Sequence, residues 1–543
     1  MTDNPIWRWF DNTFIDLGRQ CRWSYLPPLM VYLAAGISGL TGIVGTFFIK
    51  EYLDLSAAFL AGLAFWAGIP WTLKMPIGHL VDLMWRRKAL LVYLGAGLIA
   101  ASILIMYGVI AHTEAMAAIL PAETWFVIAT ILAPTGYVLQ DVVADAMTVE
   151  AVPPIDDDGN PYSEAEIKVM HTTMQTLGRV AIIGGLVGVA LLNVTMFEGV
   201  EDMTEEMKIE IYANIYLIAL TIPVVSILGV ILGGVLLRRR ARQLEAIGHD
   251  HRSIDRLLFA PETETRPNWW ILGGSLVFAA FTLGMGVSDV PLAQEIIFIG
   301  SMSIILFLMY RLLLELDEGA RRMLIGTALI IFVFRAVPLT GPGLAWFEID
   351  ELGFDQQFLS VLSLIGSVLT LVGMFILRPM MATRSIAFVI IVLTIAAGIL
   401  SLPNIGLYYG VHEWTAAHTN GVVDARFIAI IDTALESPLG QIAMIPMLAW
   451  IAQNAPPHLK ATFFAVMASF TNLALSASSL GTRYVNEFYT ITREVRDRIT
   501  GAIESTADYS ELGMLLITVT VIGFCAPLLT VFLVQHSRLR THQ

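Results

Sequence analysis

Runs of twenty or more apolar residues recur from residue 27 to residue 535, and no single water-soluble core could bury them all. Each run is long enough to cross about 30 Å of hydrocarbon as a helix. Of the 543 residues, 56% are hydrophobic and 14% are charged, against about 25% charged in soluble domains. A soluble alternative would need helices that are apolar all round, which bundles in water do not expose. The chain therefore reads as an all-α polytopic membrane protein. About fourteen spans are expected, at 27–49, 57–82, 88–111, 123–149, 168–193, 211–237, 268–288, 292–314, 322–342, 356–378, 384–403, 425–452, 459–485 and 511–535. An even number places both termini on one side.

Lysine and arginine in the short loops give the orientation. One side collects Arg8, Arg19, Arg22, Arg86, Arg87, Lys88, Arg238, Arg239, Arg240, Arg242, Arg321, Arg322, Arg378, Arg384, Lys460, Arg538 and Arg540. The other holds Lys50, Lys208 and a helical-looking stretch with Arg493, Arg496 and Arg498. The first side is expected to be cytoplasmic, termini included. Residues 1–26 lack a cleavable leader and read as an interfacial amphipathic segment. An acidic chain without a signal peptide fits a bacterial inner membrane. The net charge of −14 resides largely in hydrophilic stretches such as Asp156-Asp157-Asp158 and does not call for nucleic acid.

The Arg-rich segment 238–266 divides the chain, and an internal repeat relates the parts. Phe47-Phe48-Ile49-Lys50-Glu51 through Phe59-Leu60 lines up with Trp346-Phe347-Glu348-Ile349-Asp350 through Phe358-Leu359. Span 9 thus corresponds to span 1, the repeat is parallel, and spans 7 and 8 become an inserted hairpin. The expected organisation is a six-helix half (27–237), a central loop (238–266), a two-helix hairpin (267–314), a second six-helix half (315–535) and a tail (536–543). Parallel six-helix halves around a central loop describe the major facilitator architecture.

Gly78-x-Leu80-x-Asp82-x-x-x-Arg86-Arg87-Lys88 resembles the major facilitator motif between spans 2 and 3, with Trp85 where glycine is usual. Four further stretches resemble the folate-biopterin transporter family. They are Phe47-Phe48-Ile49-Lys50 through Lys74-Met75-Pro76, Gln140-Asp141-Val142-Val143-Ala144-Asp145 through Glu150, Arg335 to Phe358, and Ala461-Thr462-Phe463-Phe464 through Leu473. The methionine inserted in Lys74-Met75-Pro76 and the long hairpin depart from the family pattern. The resemblance implies alternating-access uptake of a folate or pterin-like organic anion with protons. Muropeptide permeases carry a similar Gln-Asp run and extra spans, and a pigment-delivery and light-harvesting assembly branch shares the fold. Those two readings stand as alternatives.

The candidate residues are charges inside apolar runs, where ionisable groups are costly and usually functional. Asp141 and Asp145 are i and i+4 on span 4 and share a face. Two carboxylates one turn apart in a low dielectric do not both ionise cheaply, which suits proton coupling. The alternative is a structural network with the Arg86–Lys88 loop. Asp432 and Glu436 repeat the spacing on span 12, as a second proton-coupling pair or as partners of Arg426. Arg335 and Arg179 sit near the middles of spans 9 and 5, where a guanidinium can grip a carboxylate bidentately. The alternative for Arg179 is an ion pair with Asp141 or Asp145. Pro338, Gly341, Pro342 and Gly343 follow Arg335 and interrupt span 9. Tyr137 and Trp346 are candidates for stacking on a flat heterocycle, as are Phe47, Phe48, Trp66, Trp71 and Phe347. Lys74, Gly78, Asp82, Arg86, Arg87 and Glu150 are assigned to gating, with Lys74 grouped with Asp82. Gly36, Gly39, Gly42 and Gly45, with Gly184-x-x-x-Gly188 and Gly229-x-x-x-Gly233, mark close helix approaches.

No Walker A run, His-Glu-x-x-His, nucleophile elbow or Cys-x-x-Cys is present. No ATPase subunit, cofactor, metal or enzymatic activity is therefore expected. His249 and His251 on a polar loop read as surface residues. The partners implied are a small organic anion, protons and lipid.

Overall fold

The computed structural model describes residues 21–53, 55–153, 155–156, 160–259, 290–314, 316–376, 384–439, 460–496 and 503–540, with isolated positions between 269 and 285. Among these, nine helical stretches are long and apolar enough to cross a membrane: Trp23–Tyr52, Ala57–Leu83, Ala89–Ala111, Ala122–Ala151, Val169–Met196, Glu205–Ala246, Gln356–Ile376, Ile386–Tyr408 and Leu512–Gln535. The other expected spans meet helices at Ala293–Leu313, Glu318–Ala336 with Gly343–Asp350, Ala425–Glu436 and Lys460–Phe488. Most of 268–288, and 440–459, lie outside the described residues.

The helices are named in chain order. Span 1 is α1 (Leu26–Gly36) and α2 (Gly42–Tyr52), joined by a 3-10 turn at Ile37–Thr41. Span 2 is α3 (Ala57–Thr72) and α4 (Lys74–Leu83). Spans 3 to 5 are α5 (Ala89–Ala111), α6 (Ala122–Ala151) and α7 (Glu164–Met196). Span 6 is α8 (Glu205–Ala219) and α9 (Thr221–Ala246). The later chain supplies α10 (Ala293–Leu313), α11 (Glu318–Ala336), α12 (Gly343–Asp350), α13 (Gln356–Ile376), α14 (Ile386–Leu400), α15 (Leu402–Tyr408), α16 (Val411–His418), α17 (Ala425–Glu436), α18 (Lys460–Phe488) and α19 (Leu512–Gln535). The end bearing Arg86, Arg87 and Arg238–Arg240 is called the basic face, and its opposite the far face.

Local chemistry sets the ends and breaks. Ser56, Thr204, Asp317, Ser385 and Asp424 each accept a backbone N–H at a helix start, and Ser163 with Glu166 forms a reciprocal capping box. Span 2 breaks at Leu73 between Pro70 and Pro76, because Pro76 offers no N–H to the carbonyl four residues back. Span 9 is open from Val337 to Pro342 for the same reason. Span 6 departs from expectation. Helix α9 continues to Ala246, so 238–246 is helix and not loop. Arginine, glutamine, leucine and alanine favour helix, and the first break is Gly248 at φ 96°.

Glycines seat the helices of the first half. A Cβ on Gly36 would collide with the Ile182 carbonyl oxygen, and one on Gly185 would come within 2.8 Å of Gly36. Gly229 and Gly233 lie on Pro27, while Gly95 and Gly136 face each other between α5 and α6. Gly184 and Gly188 meet open space, as do Gly42 and Gly45. The close approach on α7 thus belongs to Gly185, one residue off the expected pair, because span 1 crosses at that register.

The two parts of the chain meet along two seams, α3 against α18 and α7 against α13. Near mid-depth Asn472 Nδ2 donates to the Trp71 carbonyl at 3.3 Å, and Ile183 packs on Met374 and Phe375. Helix α10 lies over the first seam. Its Gln294 donates to the Gly62 carbonyl at 3.2 Å and accepts from Arg483 at 3.2 Å, so it holds both sides. Beyond α18 the described part of the expected helical stretch is instead extended, β1 (Val495–Arg496) pairing antiparallel with β2 (Ile503–Ser505) and a Thr492–Asp508 bridge beside them, while 497–502, with Arg498, lie outside the described residues. The β-branched residues Thr490, Ile491, Thr492 and Val495 favour that extended form.

Candidate substrate and coupling site

The break at Leu73 makes Lys74 the first residue of α4 and turns it toward span 4. Its Nζ lies 2.6 Å from Asp141 Oδ2 and 2.9 Å from Asp145 Oδ2, so one ammonium bridges both carboxylates. The Tyr32 hydroxyl donates to Asp145 Oδ1 at 2.7 Å. Arg179 lies within electrostatic reach of Asp141 and Tyr32, and the neighbouring Gly178 leaves room for the Tyr32 ring. Spans 1, 2, 4 and 5 therefore converge on two acids, two cations and a phenol. With both acids ionised the formal charge of this group is zero.

Lys74 thus joins the acidic pair and not Asp82, which is exposed near the basic face. The Arg86–Lys88 loop takes other partners. Arg86 contacts Asp255 at 2.5 Å, and Lys88 forms a buried ion pair with Glu150 while its Nζ sits 4.0 Å above the Trp85 ring. Arg87 is exposed, and Gly78 faces Val142 of span 4. Gln140 is buried and accepts from Ser226 at 2.9 Å, tying span 4 to span 6. Tyr137 packs in the core of the first half, its hydroxyl near Ser38.

In the second half Arg335 stands in the last turn of α11, where the helix dipole favours a cation. The backbone groups freed beyond it are held by one stripe of α18. Ser478 Oγ donates to the Val337 carbonyl at 2.6 Å, Leu339 N–H donates to Thr482 Oγ1 at 2.9 Å, and Asn486 Nδ2 donates to the Thr340 carbonyl at 3.3 Å. Gly341 turns there at φ 74°, and a Cβ would lie 2.7 Å from Asn486. Gly341→Ala is expected to cost about 2 kcal/mol or more, from left-handed backbone and steric overlap together. Gly353→Ala, at φ 67° in open space, should lose only the backbone part. Thermal unfolding of both purified variants checks the difference.

Asp432 is 8% exposed, and its Oδ2 accepts from Asn404 at 3.3 Å while Oδ1 has no hydrogen-bond partner. Glu348 of α12 lies within electrostatic reach of Asp432, as does Glu436. Glu348 is absent from the sequence reading, although an acid inside an apolar run is the signal that picked out Asp432. Arg426 contacts Asp355 at 2.9 Å. Trp346 is 1% exposed, with the Arg493 guanidinium 4.3 Å above its ring. The structure therefore gathers Lys74, Asp141, Asp145 and Arg179 in one half and Asp432 and Glu436 in the other. Trp346 lies apart, at the far face.

The family model described as the BT1 family matches residues 271–543. A folate-biopterin transporter from Synechocystis sp. is 23% identical over 462 residues, covering 84% of this chain and 74% of that protein. Among solved structures, a POT family transporter in complex with 5-aminolevulinic acid superposes with a TM-score of 0.61 at 12% identity, over 97% of this chain and 96% of that one. The inward open xylose transporter XylE from E. coli gives 0.51 at 12% identity, over 96% and 95%. The nucleoside transporter NupG gives 0.52 at 13%, over 94% and 99%. These likenesses establish the major facilitator type of fold. Taken with the family match across residues 271–543, they make this chain an integral membrane transporter that belongs to the BT1 family.

Proposed function

We propose that the protein moves a folate or pterin-like organic anion across a membrane by alternating access, coupled to protons. The observation that carries the reading is Lys74 bridging Asp141 and Asp145. While both acids are ionised they satisfy the lysine, and the group has no surplus charge to attract an anion. A proton on one acid releases Lys74 and leaves a net positive site. Arg179 and the freed Lys74 then receive a substrate carboxylate, the guanidinium through paired N–H donors. Loss of the anion lets the ion pairs re-form and expels the proton, so the two fluxes are linked by charge balance.

Asp432, Glu436 and Glu348 form the second proton-linked group of this scheme, and Arg335 presents its charge beside the opened backbone of span 9. The basic loops support a cytoplasmic Arg86–Lys88 side, with the Lys88–Glu150 and Arg86–Asp255 pairs at that mouth. The name of the Synechocystis relative supports the substrate class.

Radiolabelled folic acid uptake into proteoliposomes tests the proposal. Saturable uptake should rise with an imposed proton gradient, and Asp141→Asn should remove that gradient response. Absence of saturable uptake of folic acid and of pterins overturns the substrate class. Uptake by the wild type that ignores both the gradient and a protonophore overturns the coupling.

A further inference from the structure

Residues 489–496 leave the end of α18 at the far face, and 503–511, paired with them, lead into α19. In passing they insert Arg493 into the opposite half of the protein. Arg493 is 3% exposed. Its Nε donates to the Lys50 carbonyl at 3.0 Å and Nη2 to the Ile49 carbonyl at 3.1 Å, and further N–H groups reach the carbonyls of Leu53 and Leu55. These are carbonyls of the last turn of α2 and just beyond it, where the helix dipole favours a cation, and those of Ile49 and Leu53 also accept from the N–H groups of Leu53 and Leu55. The other side of the guanidinium rests on Trp346 of α12. One side chain therefore ties the end of span 1 to the middle of the second half. Beside it Lys50 pairs with Asp350, which also accepts from the Tyr509 hydroxyl.

We propose that residues 489–496, paired with 503–508, form a detachable strap, with Arg493 as the pin that holds the far face closed and whose withdrawal is required before the cavity opens there. The bonds match that role. All the carbonyl acceptors belong to the first half, whereas the strap and Trp346 belong to the second, so rotation of one half against the other breaks these carbonyl hydrogen bonds together and leaves the Trp346 contact in place. The acceptors are helix-end carbonyls that water can satisfy after release. An arginine also keeps its charge throughout, and its fork of donors fits several carbonyls where a lysine ammonium has only three protons on one atom. The Gly199 N–H to Gln357 and Gln356 to Tyr212 bonds lie at the same face and must part in the same motion.

The test needs no substrate, so its outcome is independent of what the protein carries. Cys21 and Cys525 are exposed and are first replaced by serine. Spin labels are then placed at Glu206→Cys on α8 and Glu413→Cys on α16, exposed positions at the far face in opposite halves. Pulsed dipolar distances are measured on the full chain in nanodiscs. The strap predicts one dominant short distance in the parent and a rise of about tenfold in the long-to-short population ratio for Arg493→Ala. Arg493→Lys keeps charge and stem and should shift the ratio the same way by a smaller factor. If Arg493→Ala does not fold, the lysine variant decides. A distribution unchanged in every variant that folds, even with a lowered Tm, would make Arg493 a static brace and overturn the proposal.

Discussion

Lys74→Met is expected to abolish transport and to destabilise the protein by about 3 kcal/mol, the lower end of the range for removing one partner of a buried ion pair. The lower end applies because the Lys74 and Asp141 side chains retain 27% and 20% exposure, so water meets part of the loss. Two carboxylates one turn apart would remain with only Arg179 to offset them, and methionine fills the lysine volume without supplying charge. Adding Asp141→Asn to Lys74→Met should restore most of the thermal stability by removing the surplus negative charge, while uptake stays lost. Melting of purified protein and folic acid uptake by proteoliposomes separate the two effects. A Lys74→Met protein that transports within threefold of wild type would place the working site elsewhere.

Gly36→Ala should cost about 3 kcal/mol, the upper end of the usual penalty for overpacking. The added methyl meets the Ile182 backbone of α7, which has no flexible end to give way. Gly185→Ala, on the other side of the same crossing, should behave alike. Gly42→Ala and Gly45→Ala lie on α2, where nothing stands within 4 Å of the new Cβ. Those two should be neutral or stabilising by up to about 1 kcal/mol through helix propensity. Thermal unfolding midpoints of the four variants measure the contrast, and equal effects from Gly36 and Gly42 would contradict the crossing.

Much of the bundle was legible because its causes are local. Apolar runs give spans, and Pro338, Gly341 and Pro342 announce the opened stretch that the structure has from Val337 to Pro342. The i, i+4 spacing of Asp141 and Asp145 placed both on one face, and both do meet one cation. Which cation was not readable. Lys74 lies 67 residues from Asp141, and only the break at Leu73 turns it onto span 4. Grouping it with Asp82 as part of a gate followed the sequence, whereas its contact with Asp141 and Asp145 follows the helix packing. Trp346 read as an open stacking surface because its own segment carries no sign of the arginine that covers it. Glu348 went unremarked inside the repeat, where the alignment drew the eye to similarity and away from charge.

The pin and its socket lie far apart in the sequence, 444 residues for Arg493 and Ile49. During synthesis the chain emerges N-terminal end first, so the first half can insert and pack on its own glycine crossings long before the strap exists. The Arg493 hydrogen bonds to its helix-end carbonyls must wait until residues 489–496 are translated. Sealing of the far face is therefore a closing event in biogenesis, and a truncated or stalled chain carries an intact first half with its seam unfastened.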